Sequence, residues 1–93
     1  MYNNILSYEN TGIEYNYFNY NKLIPLYTNI DMYIEWNDKM VIDKNTVYEY
    51  LINIYNISSE EYKKFILSKY SYEIIFKEKN NDKDIYHVKI KLN

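Results

Sequence analysis

The stretch "IDMYIEWND", Ile30 to Asp38, decides how the rest of the chain is read. Ile30, Met32, Ile34 and Trp36 alternate without a break with Asp31, Tyr33 and Glu35, which is the period-two pattern of a strand with one buried face. A helix using Leu23, Leu26, Tyr27, Ile30 and Ile34 is the competing reading, but it leaves Met32 and Trp36 poorly placed. The pattern therefore predicts a strand. Asn37-Asp38 suits a tight turn into a return strand over residues 39–43.

Working outward toward the N-terminus, Pro25 predicts a break, because proline lacks the donor that a central strand needs. Before it, Ile13, Tyr15 and Tyr17 alternate with Glu14, Asn16, Phe18 and Tyr20, a strand with aromatics on both faces. Asn10-Thr11-Gly12 reads as a turn. Residues 1–11, with Tyr2, Ile5, Leu6 and Tyr8, suit either a helical turn or a short strand.

Toward the C-terminus two helices are marked by their ends. Thr46 and Glu49 have the spacing of a capping box, as do Ser58 and Glu61, and Ile57 and Tyr62 suit a hydrophobic staple. The first helix carries Val47, Leu51 and Ile54 or Tyr55 on one stripe, with Asn56 suited to a left-handed end. The second, over residues 59–70, buries Tyr62, Phe65, Ile66 and Tyr70. A closing hairpin sets Tyr72, Ile74 and Phe76 and Tyr86, Val88, Ile90 and Leu92 inward. Lys77, His87, Lys89 and Lys91 then point outward beside a polar loop over residues 79–84. Together these elements predict an α+β fold: a small antiparallel sheet of β-hairpins with a two-helix hairpin packed on one face.

Length and composition predict a single domain over residues 1–93. At 11.5 kDa, a chain of this size buries roughly 65% of its unfolded surface, enough for one modest core. Tyr, Asn and Ile occur 14 times each and Lys 11 times, while Ala, Arg, Gln and Cys are absent. The enriched residues have AT-rich codons, which points to an AT-rich bacterial, phage or viral genome and makes much of the tyrosine building material for half-buried positions. With one Gly and one Pro there is no flexible linker, and with no Cys neither a disulfide framework nor a thiolate metal site. The absence of a signal peptide or long apolar run predicts no membrane association and a location in the cytoplasm of the producing or infected cell. Asn56-Ile57-Ser58 matches a glycosylation sequon, read here as chance in an Asn-rich chain.

The formal charge of −2 conceals an asymmetry: residues 1–62 hold three Lys against nine acids, and residues 63–93 eight Lys against four acids. Such halves attract one another in the fold or present two faces to two partners. Catalytic sets are weak. His87, the only imidazole, sits between lysines at an outward position and reads as solvated. Glu61-Tyr62-Lys63 has the Glu-x-Lys spacing of metal-dependent nucleases on a predicted helix, where that motif needs a strand. Asn80, Asp82 and Asp84 match the start of a calcium loop that lacks its glycine and its later acid. No cofactor or metal and no enzymatic activity are therefore expected.

Helix, short turn, helix and hairpin, from Tyr48-Glu49-Tyr50-Leu51 through "NISSEEYKKFI", superficially resembles a winged-helix DNA-binding domain. The resemblance covers less than half of the chain. It implies a recognition helix over residues 59–69, a wing over residues 79–84 and a nucleic-acid face of Lys63, Lys64, Lys77, Lys89 and Lys91. The chain departs from it in lacking Arg, the commonest reader of guanine, and in placing Glu60 and Glu61 where phosphate would approach. The leading expectation is instead a non-enzymatic protein-binding module, a phage or mobile-element product that blocks a host nucleic-acid-binding protein stoichiometrically, as anti-CRISPR proteins do. Its contact residues are expected to be Asp31, Tyr33, Glu35 and Asp38, an acidic row around a tyrosine that suits a host protein with a basic surface.

Overall fold

The computed structural model describes residues 4–37 and 41–93. The deciding stretch lies in strand β2 (Lys22–Asn37), with Ile30, Met32, Ile34 and Trp36 all buried. Strand β1 (Asn4–Asn19) precedes it, and helices α1 (Lys44–Tyr55) and α2 (Glu60–Lys69) and strands β3 (Tyr70–Asn80) and β4 (Lys83–Leu92) follow. The four strands form one antiparallel sheet in the order β1-β2-β4-β3. This is the α+β architecture that the patterning predicts.

Two-residue turns close both hairpins, at Tyr20-Asn21 and Asn81-Asp82. Asn19 accepts a hydrogen bond from the Asn21 amide at 3.0 Å, and Asn81 takes a left-handed φ of 60°, both habits of asparagine in turns. The remaining connection, from β2 to β3, carries both helices onto one face. Val47 and Leu51 of α1 and Ile66 of α2 meet Ile24, Leu26 and the four residues of the deciding stretch there, with Tyr70, Val88 and Ile90 completing the core.

The helix starts differ from the predicted ones, by three residues at α1 and by one at α2. Asp43 caps α1: its carboxylate accepts from the Thr46 amide at 3.2 Å while Thr46 Oγ1 accepts from the Asp43 amide at 3.5 Å, so Thr46 is the third residue of the box rather than the first. Asn56 takes the expected left-handed conformation, and the Asn56 and Ile57 amides donate to Asn53 and Ile52, a Schellman closure. Ser59, not Ser58, caps α2, accepting from the Tyr62 amide at 3.1 Å.

Four strand expectations are corrected. β2 runs through Pro25 without a break; residues 22–28 have no β4 neighbour, so the missing donor falls on an open edge. Asn10-Thr11-Gly12 is no turn but the middle of β1, which absorbs Gly12 at φ 76°. Residues 41–43 are not strand, and a return strand has no lateral place because β1 and β4 already flank β2 from Asn29 to Glu35. The proposed turn at Asp38 lies outside the described residues. The polar loop shrinks to Asn81-Asp82, the strands taking up its other residues.

Candidate interaction surface

Because both helices lie on one side, the opposite face of the sheet carries none of the buried residues. Strand alternation assigns it Glu9, Thr11, Ile13, Tyr15 and Tyr17 of β1, and Leu23, Pro25, Asp31, Tyr33 and Glu35 of β2. Lys83, Ile85, His87, Lys89 and Lys91 of β4 join them. The expected contact residues Asp31, Tyr33 and Glu35 thus share this face, as the period-two pattern requires. Asp38 lies outside the described residues.

The acidic row does not stand alone. His87 Nε2 donates to Asp31 Oδ1 at 2.9 Å, since a carboxylate can only accept. The Tyr33 ring stacks on the His87 imidazole at 4.3 Å and 12°. Lys83 Nζ lies 3.8 Å from Glu35 Oε1, and Lys89 faces Asp31 across the ladder. With its side chain only 13% exposed, His87 is not the solvated residue expected from its lysine neighbours. The acids of β2 and the bases of β4 therefore compensate one another, which lowers the field this row offers a basic groove.

The same face is different in character at its other end. Where β4 stops, β1 and β2 continue as a two-stranded overhang of roughly 23 Å, from seven strand residues at about 3.3 Å each. Its outer side presents Ile13, Tyr15, Tyr17, Leu23 and Pro25, all exposed, with Tyr20 at the tip 99% exposed. Among the described residues no charged side chain interrupts this patch, since Glu14 and Lys22 alternate to the other side. The core side of the overhang is filled by Phe18, whose ring meets Tyr62 at 5.7 Å and Phe65 at 5.1 Å.

Two tyrosine hydroxyls close the open β2 edge beside this patch. Tyr55 accepts from the Tyr27 amide at 2.9 Å and Tyr70 donates to the Tyr27 carbonyl at 2.7 Å. The Tyr70 proton is thereby committed, so Tyr55 donates to Tyr70 in the short contact between the two hydroxyls. Burial raises the pKa of both phenols, that of Tyr70 the more.

The lysines of the alternative nucleic-acid face are not gathered. Lys63 and Lys64 lie on α2, over the core side, whereas Lys89 and Lys91 occupy the uncovered face and Lys77 sits at a bulge in β3. Glu61-Tyr62-Lys63 is helical, and Asp84 of the calcium-like trio pairs with Lys79 at 3.4 Å. Among the described residues no three His, Cys, Asp or Glu are placed to hold a metal ion. Nor is any described helix long and apolar enough to cross a membrane. No protein family, curated protein or solved structure matches this chain.

Proposed function

We propose that this chain is a non-enzymatic protein-binding module that docks through the uncovered face of its sheet. The observation that carries the reading is the uncharged patch of Ile13, Tyr15, Tyr17, Leu23 and Pro25, exposed on a projecting hairpin. Contiguous exposed apolar surface of this kind marks interaction sites, and tyrosine is enriched at their anchors. The compensated row of Asp31, Tyr33 and Glu35 is a polar rim beside it. AT-coded composition and small size support a narrower form of the proposal, a phage or mobile-element inhibitor that occupies a host nucleic-acid-binding protein, with the rim meeting basic residues.

The test compares partner capture by the wild type, by Tyr17→Ser with Leu23→Lys, and by Asp31→Lys with Glu35→Lys, each checked for a native circular dichroism spectrum. The patch variant is expected to lose the partner, and the rim variant to weaken a basic partner in proportion to salt. Capture that survives the patch substitutions overturns the reading. So does duplex DNA binding at low salt that depends on Lys63, Lys64, Lys77, Lys89 and Lys91.

A further inference from the structure

Among the described residues the sheet has three open strand edges, and two are guarded. On the β2 edge, Pro25 removes a donor and Tyr55 and Tyr70 occupy the Tyr27 amide and carbonyl. The outer edge of β3 is broken by a bulge at Lys77 and carries Glu73, Glu78 and Lys79. These are the devices by which native sheets prevent strand addition. The outer edge of β1 is less guarded: Asn4–Asn19 contains no Pro and no Lys, its register shifts fall toward its ends at Leu6 and Phe18, Glu14 is the one charge between Gly12 and Phe18, and residues 11–15 are all exposed.

The geometry of that edge is regular over one short segment. Tyr27 directs its amide and carbonyl away from β1, so its partner Ile13 directs its own away from β2. Tyr15, opposite Pro25, and Tyr17, opposite Leu23, do the same. Gly12 bounds this segment on one side with its φ of 76°, and the bulge at Phe18 bounds it on the other. Ile13, Tyr15 and Tyr17 are thus three consecutive outward-bonding positions, symmetric about Tyr15.

We infer that β1 pairs antiparallel with β1 of a second copy of this chain, about a two-fold axis through Tyr15. In that register Ile13 pairs with Tyr17 of the other copy and Tyr15 with its own counterpart, each exchanging both backbone hydrogen bonds. Glu14 falls opposite Asn16 rather than another acid. Asn16 already donates to Glu14 within one chain at 3.3 Å, so the pair is complementary across the axis. Aromatic and β-branched neighbours meet on the uncovered face, the cross-strand pairing that stabilises sheets. An isologous contact of this kind needs only a self-complementary edge. The resulting eight-stranded sheet keeps both apolar patches on one side, joined at the axis, so the pairing goes beyond the proposed docking face and leaves it open.

The experiment measures solution mass by sedimentation equilibrium across a concentration series. The wild type is expected to approach twice 11.5 kDa. Tyr15→Pro should remain at the monomer mass, because it removes a donor that faces away from β2 and leaves the β1–β2 ladder intact. As an independent readout, Tyr15→Cys in this cysteine-free chain should oxidise to a disulfide-linked dimer, whereas Tyr8→Cys should not. A wild type that stays monomeric at its highest soluble concentration overturns the inference. So does a dimer that Tyr15→Pro leaves unchanged, or crosslinking that prefers position 8. Heterologous partner capture that survives Tyr17→Ser with Leu23→Lys while the dimer is intact would instead count against the docking reading alone.

Discussion

Gly12 is the one described residue of the long first hairpin with a positive φ. Its φ of 76° is a conformation that L side chains rarely adopt, and a Cβ there would lie 2.0 Å from Thr28 Oγ1, which itself donates to the Thr11 carbonyl at 2.7 Å. The hydroxyl therefore sits where a side chain would be, and the missing Cβ lets it bridge the strands. Gly12→Ala is expected to destabilise by about 2–3 kcal/mol, from the left-handed penalty together with the lost hydrogen bond. Adding Thr28→Ala should return part of that loss, because the clash goes while the backbone penalty stays. Denaturant unfolding of the two single variants and the double variant measures the coupling; strictly additive losses would mean that the close approach contributes nothing. Sequence alone read this glycine as the end of a turn. The ambiguity is physical, since glycine supplies the same positive φ to a turn and to an irregular strand.

At the scale of the elements, what was legible was what a single period encodes. The unbroken alternation from Ile30 to Trp36 located the central strand and its buried face, and Asn56 located the end of α1. What was not legible depended on neighbours: whether Pro25 ends a strand or lies on an open edge is settled by where β4 stops, forty or more residues beyond β2 in the chain. The site divides in the same way. Alternation placed Asp31, Tyr33 and Glu35 on one face, but only strand order shows His87, Lys83 and Lys89 beside them. The apolar overhang, present in the sequence as Ile13, Tyr15 and Tyr17, became a surface only once no helix was found over it. The caps show how close two local readings can be. Ser58 and Ser59 both suit an N-cap, and Ile57, whose amide is spent in closing α1, leaves Ser59 to bond the Tyr62 amide. Ser59→Ala and Asp43→Ala should therefore each cost about 1 kcal/mol. Ser58→Ala should be close to neutral, and equal losses at the two serines would place the helix start wrongly.

Across the whole molecule the tyrosines have two roles. Tyr15, Tyr17 and Tyr20 are exposed on the projecting hairpin of a body 50 Å long and 25 Å wide, while Tyr50, Tyr55, Tyr62 and Tyr70 pack between the helices and the sheet. Burial raises the pKa of these four above the ordinary value of 10.0, most strongly at Tyr70. An unfolded chain ionises these phenols near pH 10 and the folded one holds their protons longer. Between those two points the folded state binds more protons, so stability falls as pH rises. Their contribution is present in full below pH 10 and is lost as pH rises through the raised values. Unfolding midpoints in urea should accordingly be insensitive to these groups at neutral pH and decline above pH 10. Tyr70→Phe should lower the neutral-pH midpoint, because the Tyr27 carbonyl loses its donor and Tyr55 its acceptor, at about 1 kcal/mol for such a bond. Its decline in alkali should also be shallower than that of the wild type, since the group that held its proton most firmly has gone. Parallel alkaline declines for the two proteins would show that the Tyr55–Tyr70 pair is not what couples this fold to pH, and would remove the account of how the open β2 edge is closed.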